Sequence, residues 1–169
     1  MDNITIFGAK YLYLIVMIIS FIWFLIQPRL KKKEALIIIC ICLPLIFIIS
    51  GLASRLYYSP QPFVSGHFKP LIPHQADNGF PSHHMLLVSA VSSIIFIFSR
   101  RAGFVLWILA LFVGFSRVYV GVHQVIDITG SALISIISVT LVYFFRKTWG
   151  RFKNKGTVLF FLKKNRTVP

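Results

Sequence analysis

The sequence predicts an all-α fold, a polytopic bundle of transmembrane helices. Its 169 residues are 57% hydrophobic and 15% aromatic, with a mean hydropathy of +0.80. One soluble globule of this size cannot bury that much apolar surface. The apolar residues also cluster into five segments, and a helix of about 17 to 25 such residues crosses a bilayer. We therefore expect five membrane spans, at residues 10–27, 35–56, 84–99, 102–119 and 125–145.

The first of these segments could be mistaken for a secretory signal peptide. Its apolar run is too long for one, and no cleavage site of small residues follows it, so we expect a retained helix. The sequence predicts one integral membrane domain, residues 1–150, followed by a basic tail, residues 151–169. A short apolar run in this tail could lie on anionic lipids, although a solvated tail is the simpler interpretation.

The formal net charge of +14 comes from lysines and arginines that stand in blocks beside the apolar segments. The three main blocks lie at residues 29–33, 100–101 and 146–166. Nucleic-acid-binding proteins carry such charge on a soluble surface, so membrane topology explains these blocks better. By the positive-inside rule, the blocks and the C-terminus are cytoplasmic. The loop 57–83 and the turn 117–124 then face outward.

All five histidines fall on the predicted outer side: His67, His74, His83, His84 and His123. A metal site is one explanation for such a cluster. The histidines lack the spacing of known metal motifs, however, and acidic ligands are scarce. We therefore predict no metal ligands here and look for chemistry at the extracytoplasmic face.

Ser116, Arg117, His123 and Asp127 form the most informative motif, in a run of twelve residues between two apolar segments. Residues four apart share one helix face, so Asp127 can hold one imidazole nitrogen of His123 and leave the other free. That arrangement makes a histidine nucleophile. The guanidinium of Arg117 matches phosphoryl oxygens. The alternative interpretation of this motif is a structural ion pair at the membrane interface.

A second motif, Pro81-Ser82-His83-His84, stands where the third apolar segment begins. It closes the only long loop, and long loops in compact proteins are usually functional. Pro81 suits a first helical turn, and the positive end of the helix binds anions. His84 could then give a proton to a leaving oxygen. An ordinary helix cap is the alternative interpretation of Pro81 and Ser82.

Together these motifs resemble the type-2 phosphatidic acid phosphatase superfamily of membrane phosphatases, whose blocks read K-x6-R-P, P-S-G-H and S-R-x5-H-x3-D. The third block is complete here, and the second has His83 and His84 at its end. The stretches Leu71-Ile72-Pro73-His74 and Ser116 to His123 are also similar to the bacitracin-resistance branch, the undecaprenyl-diphosphatases of bacterial plasma membranes. The resemblance covers roughly residues 35–145.

The resemblance implies a mechanism and an assignment of residues. His123 would attack phosphorus and form a phosphohistidine, Asp127 would orient it, and His84 would protonate the leaving phosphate and later help to activate water. The scheme requires neither metal nor cofactor. The residues that would hold the transferring phosphate are Arg117, Ser82, His83 and Ser116.

The first block departs from the family pattern. When Pro62 is aligned with its proline, Gln61 stands where arginine is expected and Ser54 where lysine is expected. Arg55, one position away, could serve in place of the lysine or extend to the interface. We include Gln61 and Arg55 among the expected substrate-binding residues. Loss of a donor to developing phosphate charge costs on the order of a hundredfold in rate.

These observations predict a phosphatase that converts undecaprenyl diphosphate to undecaprenyl phosphate at the outer face of the bacterial plasma membrane. Its expected partners are the bilayer and the polyprenyl diphosphate, with no nucleic acid. A phosphatase of phosphatidylglycerol phosphate or phosphatidate is one alternative. A non-catalytic membrane protein that binds lipid pyrophosphate is another, favoured by Gln61 and Ser54. The sequence does not indicate an oligomeric state.

Overall fold

The computed structural model describes the backbone of residues 2–165 and the side chains of residues 2–148. That part of the chain forms helices and no strand, apart from one isolated bridge between Pro60 and Asn78. The predicted all-α fold is confirmed. The helices are α1 (Asp2–Lys10), α2 (Leu12–Leu25), α3 (Arg29–Leu56), α4 (Pro62–Ser65), α5 (His83–Phe98), α6 (Arg100–Tyr119) and α7 (Val125–Asn165).

The number of membrane spans is close to the predicted five. In the described part of the chain, three helices are long and apolar enough to cross a bilayer: α3, α6, and α7 as far as Thr148. The predicted first span, residues 10–27, contains α2. Helix α1 precedes this segment, and α1 and α2 bend by 51° and together could make a fourth span. Helix α5 has 16 residues. At about 1.5 Å per residue it falls short of the roughly 30 Å of hydrocarbon, so the count of five is approximate.

The helix ends extend past the predicted apolar segments. Helix α3 begins at Arg29 and so includes the first basic block, since lysine and arginine are good helix formers. Helix α7 continues to Asn165, which gives most of the predicted tail a helical backbone. The tail residues 166–169, and every side chain from residue 149 onward, lie outside the described part of the chain.

Helix α5 lies at the centre of the bundle, where it packs against α2, α3, α6 and α7. Small serine side chains let these helices approach each other closely. Ser89 and Ser92 donate back to the carbonyls of Met85 and Val88, 2.6 and 2.7 Å away, so their hydroxyls stay satisfied in an apolar core. Ser135 of α7 donates across the interface to the carbonyl oxygen of Leu86, 3.0 Å away. These contacts fix the start of α5 beside α7.

The outer faces of the helices are apolar. Large side chains such as Phe47, Phe104 and Phe145 are exposed by more than half. Exposed apolar surface of this extent is suited to lipid and not to water. The helix bundle is therefore embedded in the bilayer through its sides.

The contact between α5 and α6 generates a stability prediction. A Cβ at Gly103 would overlap the backbone of Phe96, which cannot move aside without separating the helices. Gly103→Ala should therefore cost about 1–3 kcal/mol through overpacking and lower the thermal unfolding temperature in detergent by several degrees. Gly51→Ala is the matched control, since a Cβ at Gly51 meets nothing within 4 Å. It should stabilise the helix by about 0.5–1 kcal/mol. Equal melting temperatures for both variants would contradict the predicted close packing.

Candidate active site

The long loop between α3 and α5 is attached to the bundle by neutral hydrogen bonds. The side-chain amide of Asn78 donates to the carbonyls of Ser54 and Tyr57, 2.8 and 3.0 Å away, and its oxygen accepts from the Ser59 backbone at 2.9 Å. One side chain thus ties the end of the loop to the end of α3. The loop is held near the start of α5 as a result.

The same loop also contacts the turn between α6 and α7. The backbone N–H of Leu71 donates to the Val120 carbonyl at 3.1 Å, and the Gln124 side chain donates to the Pro60 carbonyl at 2.7 Å. Ile72 is buried in a small cluster that joins this loop to α1 and to the turn. The other buried members are Ala9, Val120 and Val122. The loop and the turn therefore form one structured surface at this end of the bundle.

The turn that carries His123 requires glycine at position 121. Gly121 has φ +81°, a left-handed conformation that side chains rarely adopt, and a Cβ there would meet the ring of Phe68 at 2.6 Å. Its N–H donates to the Val118 carbonyl at 3.0 Å. This tight turn brings the chain back after α6, so that His123 lies beside Arg117.

The contacts of His123 determine which nitrogen carries the proton. An Arg117 Nη atom lies 3.3 Å from Nε2 of His123. A guanidinium can only donate, so Nε2 must be the acceptor and the proton is on Nδ1. That Nδ1 faces Asp127, with 3.4 Å to its Oδ2. The free electron pair of His123 is thus on the nitrogen beside Arg117, as a histidine nucleophile requires.

Arg117 is a buried cation that no carboxylate contacts directly among the described side chains. It is 4% exposed, and within the same residues its acceptors are Nε2 of His123 and the carbonyl oxygen of Ala9, 3.5 Å away. Among the described side chains, no carboxylate lies within ion-pair distance of it, and its Nε has no hydrogen-bond partner. Burial of an unpaired charge is costly. The guanidinium is therefore suited to bind an anion in front of His123.

Asp127 lies in the first turn of α7 and is fully buried. Its Oδ2 accepts the backbone N–H of Gln124 at 2.8 Å, which fixes the carboxylate toward His123. Gly79 of the loop packs directly against it, because a Cβ at position 79 would lie 2.9 Å from Oδ2. The Ser131 hydroxyl donates to the backbone carbonyl of Asp127 and also lies 3.1 Å from the backbone carbonyl oxygen of Ser82. The carboxylate is thus shielded from solvent and held in one orientation.

The second motif contributes unequally to the site. Ser82 is fully buried, and its hydroxyl has no hydrogen-bond partner within residues 2–148. His83 is exposed on the first turn of α5. His84 lies with its ring edge against Tyr13, at a centroid distance of 4.5 Å, and within electrostatic range of Arg117 and His123. Ser82 and His84 therefore belong to the cluster, while the His83 side chain points to its rim.

The remaining expected phosphate ligands have other contacts. The side chain of Gln61 is fully buried and donates to Asp77 at 2.6 Å. Ser116 is buried where α1 crosses α6, because a Cβ at Gly8 would overlap its hydroxyl. Arg55 is exposed, and no contact joins it to the cluster within the described residues. Gln61 thus holds the loop through Asp77, and Ser116 lies in the close contact between α1 and α6.

Three contributors to the site were missed from sequence. His74 lies against His123 at a ring-centroid distance of 5.8 Å, and Asp77 acts electrostatically on both His74 and Arg117. Tyr13 supports His84 from α2. The short spacing between His74 and Asp77 in the loop could have indicated that both belong to the site. Tyr13 is one aromatic residue in an apolar helix, and nothing in the sequence indicates its contact with His84.

Burial lowers the pKa of His74 from its usual value of 6.5. The positive charges of Arg117 and His123 lower this pKa further, while the carboxylate of Asp77 raises it. His74 is therefore mostly neutral at pH 7 and becomes a cation only at acid pH. Within the described residues, no group of three or more His, Cys, Asp or Glu side chains is arranged to hold a metal ion.

Known proteins share part of this sequence. A model of the PAP2 superfamily matches residues 48–151. The chain is 40% identical over 90 residues to undecaprenyl-diphosphatase BcrC of Bacillus subtilis, covering 53% of this chain and 47% of that protein. It is 30% identical over 99 residues to phosphatidylglycerophosphatase B of the same species, covering 52% and 48%. The chain thus spans about half the length of these relatives.

A solved structure shares the fold. The chain superimposes on LpxE of Aquifex aeolicus with a TM-score of 0.60 and 20% identity, covering 83% of this chain and 81% of that one. A likeness at this level of identity concerns the helix arrangement. It supports the transmembrane bundle described above.

The contact between Tyr13 and His84 yields a prediction for catalysis. Tyr13→Leu should lower kcat about three- to tenfold, because an edge-to-face ring contact is worth about 0.5–1.5 kcal/mol and His84 would lose its orientation. Tyr13→Phe keeps the ring and should retain the activity. Phosphate release by purified protein measures both variants. If the phenylalanine variant lost as much activity as the leucine variant, support by the ring would be the wrong explanation.

Proposed function

The chain belongs to the PAP2 superfamily, and on this basis we propose that it is an integral membrane phosphatase that hydrolyses undecaprenyl diphosphate to undecaprenyl phosphate. One observation carries the proposal: the buried guanidinium of Arg117 stands 3.3 Å from the unprotonated nitrogen of His123. The guanidinium can bind the oxygens of a phosphoryl group, and the electron pair on the adjacent nitrogen of His123 can then attack the phosphorus.

The proposed reaction has two steps. Nε2 of His123 attacks the terminal phosphorus, an N–P bond forms, and the bond from phosphorus to the bridging oxygen breaks. Burial lowers the pKa of His84 to about 4 in the free protein, and the negative charge of the bound diphosphate raises this pKa. The imidazole is therefore protonated and gives its proton to the bridging oxygen, which leaves on the lipid phosphate. Water then attacks the phosphohistidine while His84 accepts its proton, the N–P bond breaks with its electron pair returning to His123, and inorganic phosphate is released. Asp127 stabilises the charge that His123 acquires, and Arg117 with Ser82 binds the phosphoryl oxygens.

The choice of substrate rests on the relatives and on the membrane setting. Undecaprenyl-diphosphatase BcrC is the relative with 40% identity, and the apolar sides of the helices leave room for a long prenyl chain in lipid. Returning undecaprenyl phosphate to cell-wall synthesis would also give bacitracin resistance. The similarity to phosphatidylglycerophosphatase B supports the second candidate, a glycerolipid phosphate as substrate.

We assign the site to the outer face of the plasma membrane and the C-terminus to the cytoplasm. Helices α3 and α6 both begin with basic residues and end near the site. Basic residues stay preferentially on the cytoplasmic side. The loop and turn that carry the histidines are therefore extracytoplasmic.

The main test is loss of the nucleophile. His123→Ala should lower phosphate release from undecaprenyl diphosphate by about three orders of magnitude or more, since the N–P bond can no longer form. Asp127→Asn should lower it on the order of a hundredfold or more by disturbing the tautomer. An acid-labile phosphoenzyme should be trapped with the wild type and be absent from His123→Ala.

This test also separates catalysis from simple binding. A protein that only sequesters lipid pyrophosphate would release no phosphate as wild type, and His123→Ala would still bind the lipid through Arg117. The positions Ser54 and Gln61, which lack the family's cations, are what favours this rival. Preference of the wild type for a glycerolipid phosphate would overturn the substrate assignment alone.

The orientation can be tested by cysteine labelling in intact cells. In a background with Cys40→Ala and Cys42→Ala, Ser65→Cys places an exposed thiol on the loop and Glu34→Cys places one at the basic end of α3. A membrane-impermeant maleimide should label position 65 without permeabilisation and position 34 only after it. The reverse pattern would put the site on the cytoplasmic side.

A further inference from the structure

His74 is held in front of His123 by a loop that has little freedom there. Leu71 is bonded to the turn at Val120, Ile72 is 4% exposed, and Pro73 fixes the backbone next to His74. Phe63 also lies against the imidazole, at a centroid distance of 6.4 Å and with the rings steeply inclined to each other. The ring is thus placed by its surroundings before any ligand arrives.

The surroundings of His74 contain both signs of charge. The positive charges of Arg117, His123 and His84 act on it, and so does the negative charge of the Asp77 carboxylate. That carboxylate is fixed by the Gln61 amide at 2.6 Å. His74 is therefore a donor whose charge responds to an anion bound between it and His123.

We propose that His74 binds the phosphate that remains on the lipid when a diphosphate is cleaved, and thereby makes the site selective for diphosphates over phosphate monoesters. This inference rests on the proposed function and names the substrate class. The inference rests on the position of His74. The centroid of its imidazole lies 5.8 Å from that of the His123 ring, and His74 takes no part in the two-step reaction.

The positions of the other donors explain why a second phosphate needs His74. Arg117 lies 3.3 Å from Nε2 of His123, where the transferring phosphoryl group would bind, and the buried Ser82 hydroxyl has no hydrogen-bond partner among the described residues. The positions that carry lysine and arginine in the family's first block are Ser54 and Gln61, and both are engaged with loop residues. The only other titratable donor that faces His123 from the loop is His74, among the residues that the structure describes. The adjacent phosphate of a diphosphate is anionic and would accept its N–H.

Proton uptake follows from the same arrangement. The pKa of His74 lies below 6.5 in the free protein, and an adjacent phosphate raises it because the negative charge favours the imidazolium. Diphosphate binding should therefore take up a proton and strengthen as pH falls from about 7.5 to about 6. A monophosphate bound at Arg117 should strengthen less over this range.

The test compares two prenyl ligands and two substrates. In His123→Ala, which binds without turnover, the affinities for farnesyl diphosphate and farnesyl phosphate are measured with and without His74→Ala. With His123 intact, kcat/KM is measured for undecaprenyl diphosphate and for phosphatidate. His74→Ala should cost about ten- to hundredfold on both diphosphates and less than about threefold on the monoesters. The pH-dependent gain for farnesyl diphosphate should disappear.

His67→Asn is the matched control, since His67 is an exposed loop histidine at φ +50°, a conformation that asparagine tolerates. It should leave every value unchanged. Equal losses on diphosphates and monoesters, or no loss at all, would overturn the selectivity assigned to His74. A wild type that hydrolyses no substrate would overturn the proposed function, and the farnesyl titrations would still decide whether His74 recognises the second phosphate.

Discussion

The contact between the guanidinium of Arg117 and Nε2 of His123 is the constraint on which the rest of the site depends. It requires a cation to be buried next to an imidazole, and four parts of the chain contribute to keeping it there. Helix α1 supplies the Ala9 carbonyl, α6 supplies the arginine, the turn supplies His123, and α7 supplies Asp127. Separation of any one part would expose the guanidinium to water and weaken its hold on a phosphoryl group.

Much of this arrangement was predictable because it is local. His123 and Asp127 are four residues apart, and the start of a helix necessarily brings such residues together. The apolar segments likewise predicted the helices, since a bilayer leaves the backbone few other structures. Ser82 and His84 stand at the start of α5, as Pro81 before them predicted. Periodicity and spacing carry this kind of information well.

The contributions that sequence analysis missed all depend on packing between distant segments. Nothing in the apolar run of α2 distinguishes Tyr13 from its neighbours, and its place against His84 arises from the way α2 crosses α5. The bend between α1 and α2 also depends on a distant segment, because Gly8 allows α1 to pack closely against Ser116 of α6. The engagement of Gln61 with Asp77 also required the folded loop. Long-range contacts of this kind leave no periodic signature.

The neutral character of the loop's attachments has a consequence for how the protein responds to salt. Asn78, Gln124 and the Leu71 backbone hold the loop through amide groups, and amide hydrogen bonds are not screened by dissolved ions. Ionic strength should therefore leave the shape of the site unchanged from dilute buffer to brine. Any salt dependence of turnover would then report on the attraction between the charged head group and the cations of the site.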